Sequence, residues 1–429
     1  MVIVITKFII RNKTMGNFYE KVKERLIRYA KIFSESKANT NQTPSTLCQY
    51  DLAKILEAEL KKIGASNVWL DMDHCIVYAT IPSNIKEDVI SVGLIAHMDT
   101  APDVTGKNVK PWVLDNYQGN DVILNKELNI VMSCKEFPNL KKYIGQDIIF
   151  TDGTTLLGGD DKAAISEIMT MAEYLINNPQ IKHGPIQIAF TPDEEVGGLA
   201  KDLDFKRFSA DIAYTVDGDY VGYYSDETFN ATEAQLFITG KNVHPGTAKG
   251  IMKNAVEIAV EFINMLPLHD RPYLTEGKEG FYHPHVFEGI VEKAKVFTLI
   301  RDHDYDNFEK RKDFIKECVD KLNKKYGEGT VLLQFANGYY SMKKVVDKYP
   351  FMIEKLVEAI KDSNIEPVSL PFRGGTDGSA ISNRGLPCPN ISAGYENGHS
   401  RYEFVPIQSM EKITEILINL IKKLAEVKK

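Results

Sequence analysis

Three segments of this chain are apolar at almost every position, on both alternating faces: V-I-S-V-G-L-I-A over 89–96, I-Q-I-A-F over 186–190 and I-A-Y-T-V over 212–216. Strands of that kind are buried on both sides, which places them in a parallel or mixed sheet covered by helices. A helical pattern over 161–176 separates the first strand from the second. Further strands are expected at 68–70 and 76–81. Helices are expected at 18–34 and from a cap at Ser45 or Thr46 to about Lys62, with Gly64 as the stop. Helices and buried strands that alternate in this way predict a layered α/β core.

The pattern changes after Gly222. Residues 234–239 alternate like an antiparallel strand, 253–266 read as a helix, 286–291 and 294–301 as a hairpin, 306–326 as a charged helix and 331–335 as a strand. Two helices on four short strands predict a compact inserted α+β domain. From 350 the chain returns to helix, loop, an apolar strand at 389–393 and a C-terminal helix. The expected organisation is a catalytic domain in two parts, 1–222 and 341–429, around an inserted domain at 223–340. Its sheet is mixed and largely parallel, with helices on it.

Composition excludes several function classes. With 429 residues, 43% hydrophobic and 26% charged, the chain is ordinary globular protein rather than disordered or fibrous. Its 52 Lys+Arg against 59 Asp+Glu give a net charge of −7, so nothing pulls it globally toward nucleic acid or anionic membranes. No segment reaches the roughly 20 apolar residues of a membrane span. Cys48, Cys75, Cys134, Cys318 and Cys388 are odd in number, scattered and never in C-x-x-C spacing, so reduced thiols in a cytoplasmic protein are expected. The apolar run over 1–10 lacks a preceding basic region and an A-x-A site, and reads as a leader extension or an extra strand, with Met15 as an alternative start.

Chemistry collects at the ends of the buried strands. H-M-D at 97–99 ends the first, D-E-E at 193–195 the second and D-G at 217–218 the third, while G-G-D-D-K at 158–162 opens the helix between them. In open α/β sheets the ligand crevice lies beyond the carboxyl ends of the strands. Each piece alone has a plain reading: a satisfied His–Asp pair, a helix cap, a solvated turn. Together they crowd carboxylates that only a cation makes comfortable. Imidazole with carboxylate and no thiolate suits Zn²⁺, and less specifically Mn²⁺ or Co²⁺.

Seven strings carry a family resemblance: A-H-M-D-T (96–100), G-T-T-L-L-G-G-D-D-K-A (153–163), F-T-P-D-E-E-V-G (190–197), Y-T-V-D-G (214–218), N-V-H-P-G-T-A-K-G (242–250), F-R-G-G-T-D-G (372–378) and H-S-R-Y-E-F-V (399–405). From about Met15 to the C-terminus the chain resembles the peptidase T family. These are tripeptide aminopeptidases among the co-catalytic dinuclear zinc peptidases, which include carboxypeptidase G type enzymes and aminoacylases. The resemblance implies two Zn²⁺ per chain. His97 and Asp217 would bind one ion, Glu195 and His399 the other, and Asp160 would bridge them. Asp99 would orient His97, Glu194 would be the general base, and Asp161 would point away to cap its helix. On the substrate side it implies His244 as a donor to the oxyanion, with the inserted domain closing as a lid to bring it there, Arg301 and Arg373 as readers of a free carboxylate, and Asn254 as a further contact. An ion pair of Arg301 with Asp302 or Asp304 is the plain alternative. Gly159 stands where the family usually has Ala, which suggests a looser loop. The implied function is release of the N-terminal residue from tripeptides by a monomer or homodimer. The alternatives are a related dinuclear dipeptidase, an N-acyl amino acid amidase, or an inactive peptide-binding relative.

Overall fold

The computed structural model describes residues 18–198, 200–336 and 338–429. The expected leader or extra strand at 1–10, and Met15, lie outside them. The chain forms two compact units. Of the described residues, the larger comprises those up to Asp226, Val345–Leu370 and Arg384–Lys429, and the smaller Glu227–Lys344 and Pro371–Asn383. The sequence places everything after 341 in the second catalytic stretch. Instead, 341–344 and Pro371–Asn383 group with the smaller unit, because Phe372 rejoins it through its amide, bonded to the Glu227 carbonyl at 2.9 Å.

The larger unit is built on an eight-stranded mixed sheet. Its order is Ser66–Asp71, Ile76–Ile81, Ile186–Thr191, Val92–His97, Ile212–Val216, Asn390–Ile391, Tyr223–Ser225 and Val368–Ser369. The three apolar segments are adjacent and parallel at its centre, with Val92–His97 between the other two. Each is buried along its whole length. Helices Tyr19–Ala30, Gln49–Ile63, Gly159–Asn177, Phe351–Asp362 and Ile407–Leu424 contribute to the same core, where Leu26, Leu56, Ile168, Leu356 and Ile416 meet Leu94 and Ile188. Gly64 closes the second helix in the left-handed region at φ +94°, a conformation that favours glycine. That helix starts later than Ser45 or Thr46, at Gln49, with Cys48 before it.

Residues 101–150 show no hydrophobic period in the sequence. They contribute Trp112–Leu114 and Ile148–Phe150 to a three-stranded sheet completed by Phe404–Pro406, and the hairpin Val122–Asn125 with Ile130–Met132. Strands of three or four residues are too short to show alternation, which is why the sequence is silent on them.

The smaller unit has a four-stranded antiparallel sheet in the order Phe281–Ile290, Lys293–Asp302, Asn230–Thr239, Val331–Phe335. Helices Ala255–Met265 and Tyr305–Tyr326 cover one face, and Leu236, Ile258, Phe262, Val296, Ile300, Ile315 and Leu322 fill the space between. Asp304 opens the second helix by accepting the Asn307 amide at 2.8 Å.

Candidate active site

The carboxyl ends of the central strands bring the acids and histidines of the larger unit together. His97 ends its strand, and its Nε2 lies 3.0 Å from Asp160 Oδ1. The other Asp160 oxygen is 3.4 Å from His399 Nε2, which is 2.7 Å from Glu195 Oε2. Asp160 therefore stands between two imidazoles, one reaching it from each side. Asp217, just past the end of the third strand, accepts the Tyr395 hydroxyl at 3.0 Å. Ligand atoms of His97, Asp160 and Glu195 lie within 4.8 Å of one another, as do those of His97, Asp161 and Asp217.

Asp161 does not cap its helix. Its Oδ2 accepts the backbone amide of His97 at 3.1 Å, and Gly158 occupies the capping position. The backbone explains this: Asp160 and Asp161 are both outside helical geometry, so the acid turns back to the strand end rather than along the helix axis.

Two acids organise the loops that carry these groups. Asp99 lies beside His97, whose Nδ1 is 3.1 Å from the Asp99 carbonyl oxygen and 3.4 Å from Oδ1. The same Asp99 carboxylate accepts the amides of Glu194 at 3.0 Å and Glu195 at 3.2 Å. Glu403 accepts the amides of Leu157, Gly158 and Asp160, each at 2.8 Å. Glycine at 159 makes that grip possible, since an added Cβ would fall 2.5 Å from Val405 Cγ2 and 3.1 Å from Glu403 Oε1. The loop is thus clamped rather than loosened by Gly159. Glu403 and Tyr395 carry no separate sequence signal, because each acts through chain segments far from its own.

The electrostatics describe a cluster short of positive charge. Burial pushes the Glu195 carboxyl up to about 7 and Asp217 to about 6, with the charge of Asp160 adding to both. Burial likewise raises Asp161, with Asp217 adding to it. Hydrogen bonds to Asp160 and Glu195 raise His399 to about 11. Burial opposes the charging of His97, but its bonds to Asp160 and Asp99 outweigh this and raise it. Among the described residues, Glu195 Oε1 and Asp161 Oδ1 are buried with no hydrogen-bond partner. Four carboxylates, two imidazoles and two orphaned acid oxygens fit divalent cations, which would supply the missing charge and satisfy both oxygens.

The four remaining candidates lie in the smaller unit. His244 is exposed and starts the turn Pro245–Thr247, its Nδ1 accepting the Gly246 amide at 3.1 Å. Asn254 caps helix Ala255–Met265 through the Val256 amide at 3.1 Å. Arg301 and Arg373 are neighbours, Arg301 Nη1 donating to the Arg373 carbonyl at 3.1 Å. Arg373 spends its own guanidinium on the carbonyls of Gly277, Glu279 and Thr275 and on the Thr275 hydroxyl, and lies over the Phe229 ring. Neither expected acid holds Arg301: Asp302 is bound by Arg311 Nε at 2.7 Å, and Asp304 caps its helix.

Comparison with known proteins settles the family. The chain is 49% identical over 402 residues to Peptidase T of Caldanaerobacter subterraneus subsp. tengcongensis, covering 94% of this chain and 98% of that one. It is 48% identical over 399 residues to Peptidase T of Geobacillus kaustophilus, covering 93% and 97%. The chain belongs to the peptidase T family. Within this peptidase T family chain, residues 227–330 match the model of the peptidase dimerisation domain. The fold is shared with the aminopeptidase PepT of Bacillus cereus, at a TM-score of 0.75 and 24% identity over 95% of this chain and 99% of that one. It is shared too with a Bacillus subtilis protein described as a dinuclear metal binding peptidase of the M20 family, at a TM-score of 0.65 and 12% identity over 96% and 99%. Among the described residues no helix is long and apolar enough to cross a membrane.

Proposed function

We propose that this peptidase T family chain is an aminopeptidase that releases the N-terminal residue of tripeptides, using two Zn²⁺-class ions. The observation that carries the reading is the cluster His97–Asp160–His399–Glu195, bonded in series and left with an orphaned Glu195 oxygen. His97 and Asp217 would hold one ion, Glu195 and His399 the other, with Asp160 between them. Such ions, when bound, lower the pKa of water and polarise the scissile carbonyl.

The chain's own residues do the rest. Glu194 takes the proton of the attacking water and delivers it to the leaving amine nitrogen. Adjacent positions in the turn Glu194–Val196 let one glutamate bind metal while the other meets water. Asp99 fixes both, through their amides, and orients the His97 ring. From the smaller unit, His244 donates to the oxyanion and Arg301 reads the free carboxylate of the substrate. Arg373 and Asn254 support them, one through its carbonyl bond to Arg301, the other as a helix cap. The match to a dimerisation domain supports a homodimer through the smaller unit.

The test is metal analysis together with product analysis on Ala-Ala-Ala, Ala-Ala, a tetrapeptide and N-acetyl-Ala. Two ions per chain and preferred release of Ala from the tripeptide are expected. Faster turnover of Ala-Ala or of N-acetyl-Ala would replace the reading with a dipeptidase or an amidase, and inertness toward all four would leave a binding protein.

A further inference from the structure

Directly before the two glutamates, Asp193 adopts a left-handed conformation, φ 62° and ψ 21°, which residues with a Cβ seldom occupy. It is 4% exposed, so something inside the fold must hold it there. Its backbone contributes through the carbonyl, which accepts the Gly198 amide at 2.7 Å and the Val196 amide at 3.4 Å. Its side chain contributes the rest, and by contacts remote in sequence. Asp193 Oδ2 accepts the Ser45 amide at 2.7 Å, while Oδ1 accepts the Ser45 hydroxyl at 2.5 Å and Gln49 Nε2 at 2.7 Å. Ser45 and Gln49 are themselves buried, and the Ser45 oxygen is fixed in turn by the Lys37 amide at 2.9 Å. The glutamate turn is consequently gripped from two sides, by Asp99 through the amides of Glu194 and Glu195 and by Ser45 and Gln49 through Asp193.

We propose that Asp193, with Ser45 and Gln49 behind it, is a positioning device that sets the direction of the Glu194 carboxylate. It touches no reacting atom and acts through the backbone of the turn. Proton transfer demands a base within hydrogen-bond reach of its proton, so a turn free to rotate loses rate before it loses binding. The proposal rests on the reading of Glu194 as general base.

The experiment uses Ser45→Ala and Gln49→Met, each alone and in a Glu194→Ala background, assayed on Ala-Ala-Ala at full metal occupancy. Ser45→Ala keeps the Ser45 amide bond to Asp193, so the fold is disturbed little, and Ser45→Thr restores the hydroxyl. Each single variant should lower kcat by about tenfold with KM unchanged. Hydrogen exchange at the Glu194 and Glu195 amides should accelerate, and Ser45→Thr should recover both. In the Glu194→Ala background neither change should lower kcat further, because the group being positioned is gone. Unchanged kcat and exchange in the single variants, or losses that multiply in full with that of Glu194→Ala, would overturn the positioning role alone. A Glu194→Ala protein with undiminished kcat would instead remove the general-base reading on which it stands.

Discussion

The His–carboxylate cluster of the larger unit and the arginine pair of the smaller one are both ionic groups drawn into the fold, yet they are bonded in opposite ways. In the cluster, acids bond to histidines and still leave Glu195 Oε1 and Asp161 Oδ1 buried without partners. Arg373, by contrast, gives both of its terminal nitrogens to the carbonyls of Thr275, Gly277 and Glu279. Arg301 sits between the extremes, with one bond to the Arg373 carbonyl and a buried Nε that has none. A charge satisfied by the fold braces it, whereas a buried polar atom left short is open to something that arrives later. The contrast separates two arginines that the sequence treats alike.

The largest effect should come from the centre of the cluster. Asp160→Ala removes the acid that both imidazoles share, so metal affinity should fall by more than about 10²-fold, beyond what loss of a supporting residue causes. Calorimetric metal titration would show it, and unchanged stoichiometry and affinity would break the comparison at its strongest point. Next, Glu194→Ala should keep its metal and lower kcat by at least about 10²-fold, while Glu195→Ala should lose metal at one site. The opposite pattern would exchange the roles of the two glutamates. The arginines should then divide as their bonding does. Arg373→Ala should lower stability by about 1 kcal/mol, because it removes the bonds by which the guanidinium holds the 275–279 turn. Arg301→Ala should barely move the melting temperature and should raise KM for a tripeptide. Equal melting shifts in the two variants would erase the distinction. Last comes Asn254, where Ala should cost about 1 kcal/mol as a lost helix cap, and Asp should restore most of it.

What was legible in the sequence follows from how each feature is encoded. Ile76–Ile81 and Ile212–Val216 are visible to the residue because burial is written along the strand itself. The sheet of Trp112–Leu114 and Ile148–Phe150 is not, since strands of three residues show no period. The site divides in the same way. His97 and Asp217 stand at strand ends, where position announces chemistry. Glu403 looks like any acid in a loop, and its function exists only once the chain has brought it to the amides of 157–160. Asp193 is similar: the D-E-E string shows three acids in a row, but not that the first reaches Ser45 and Gln49 while the amides of the other two bond to Asp99. Asp161 misled for a local reason, since Asp before a helix is so often a cap that a bend at two residues goes unseen.

The Glu403 clamp has a consequence for the order of events in the cell. A ribosome delivers the strands ending in His97, Thr191 and Val216 long before it delivers residues 399–404. Until then the 157–160 loop has nothing to accept its amides, and His399 does not yet exist to face Asp160 and Glu195. The helix Ile407–Leu424, whose Ile413, Leu417 and Leu420 complete the core of the larger unit, comes later still. The cluster is therefore among the last features the growing chain completes, and a chain abandoned before that helix is made carries the strands ending in His97, Thr191 and Val216 without the Glu403 clamp on the 157–160 loop.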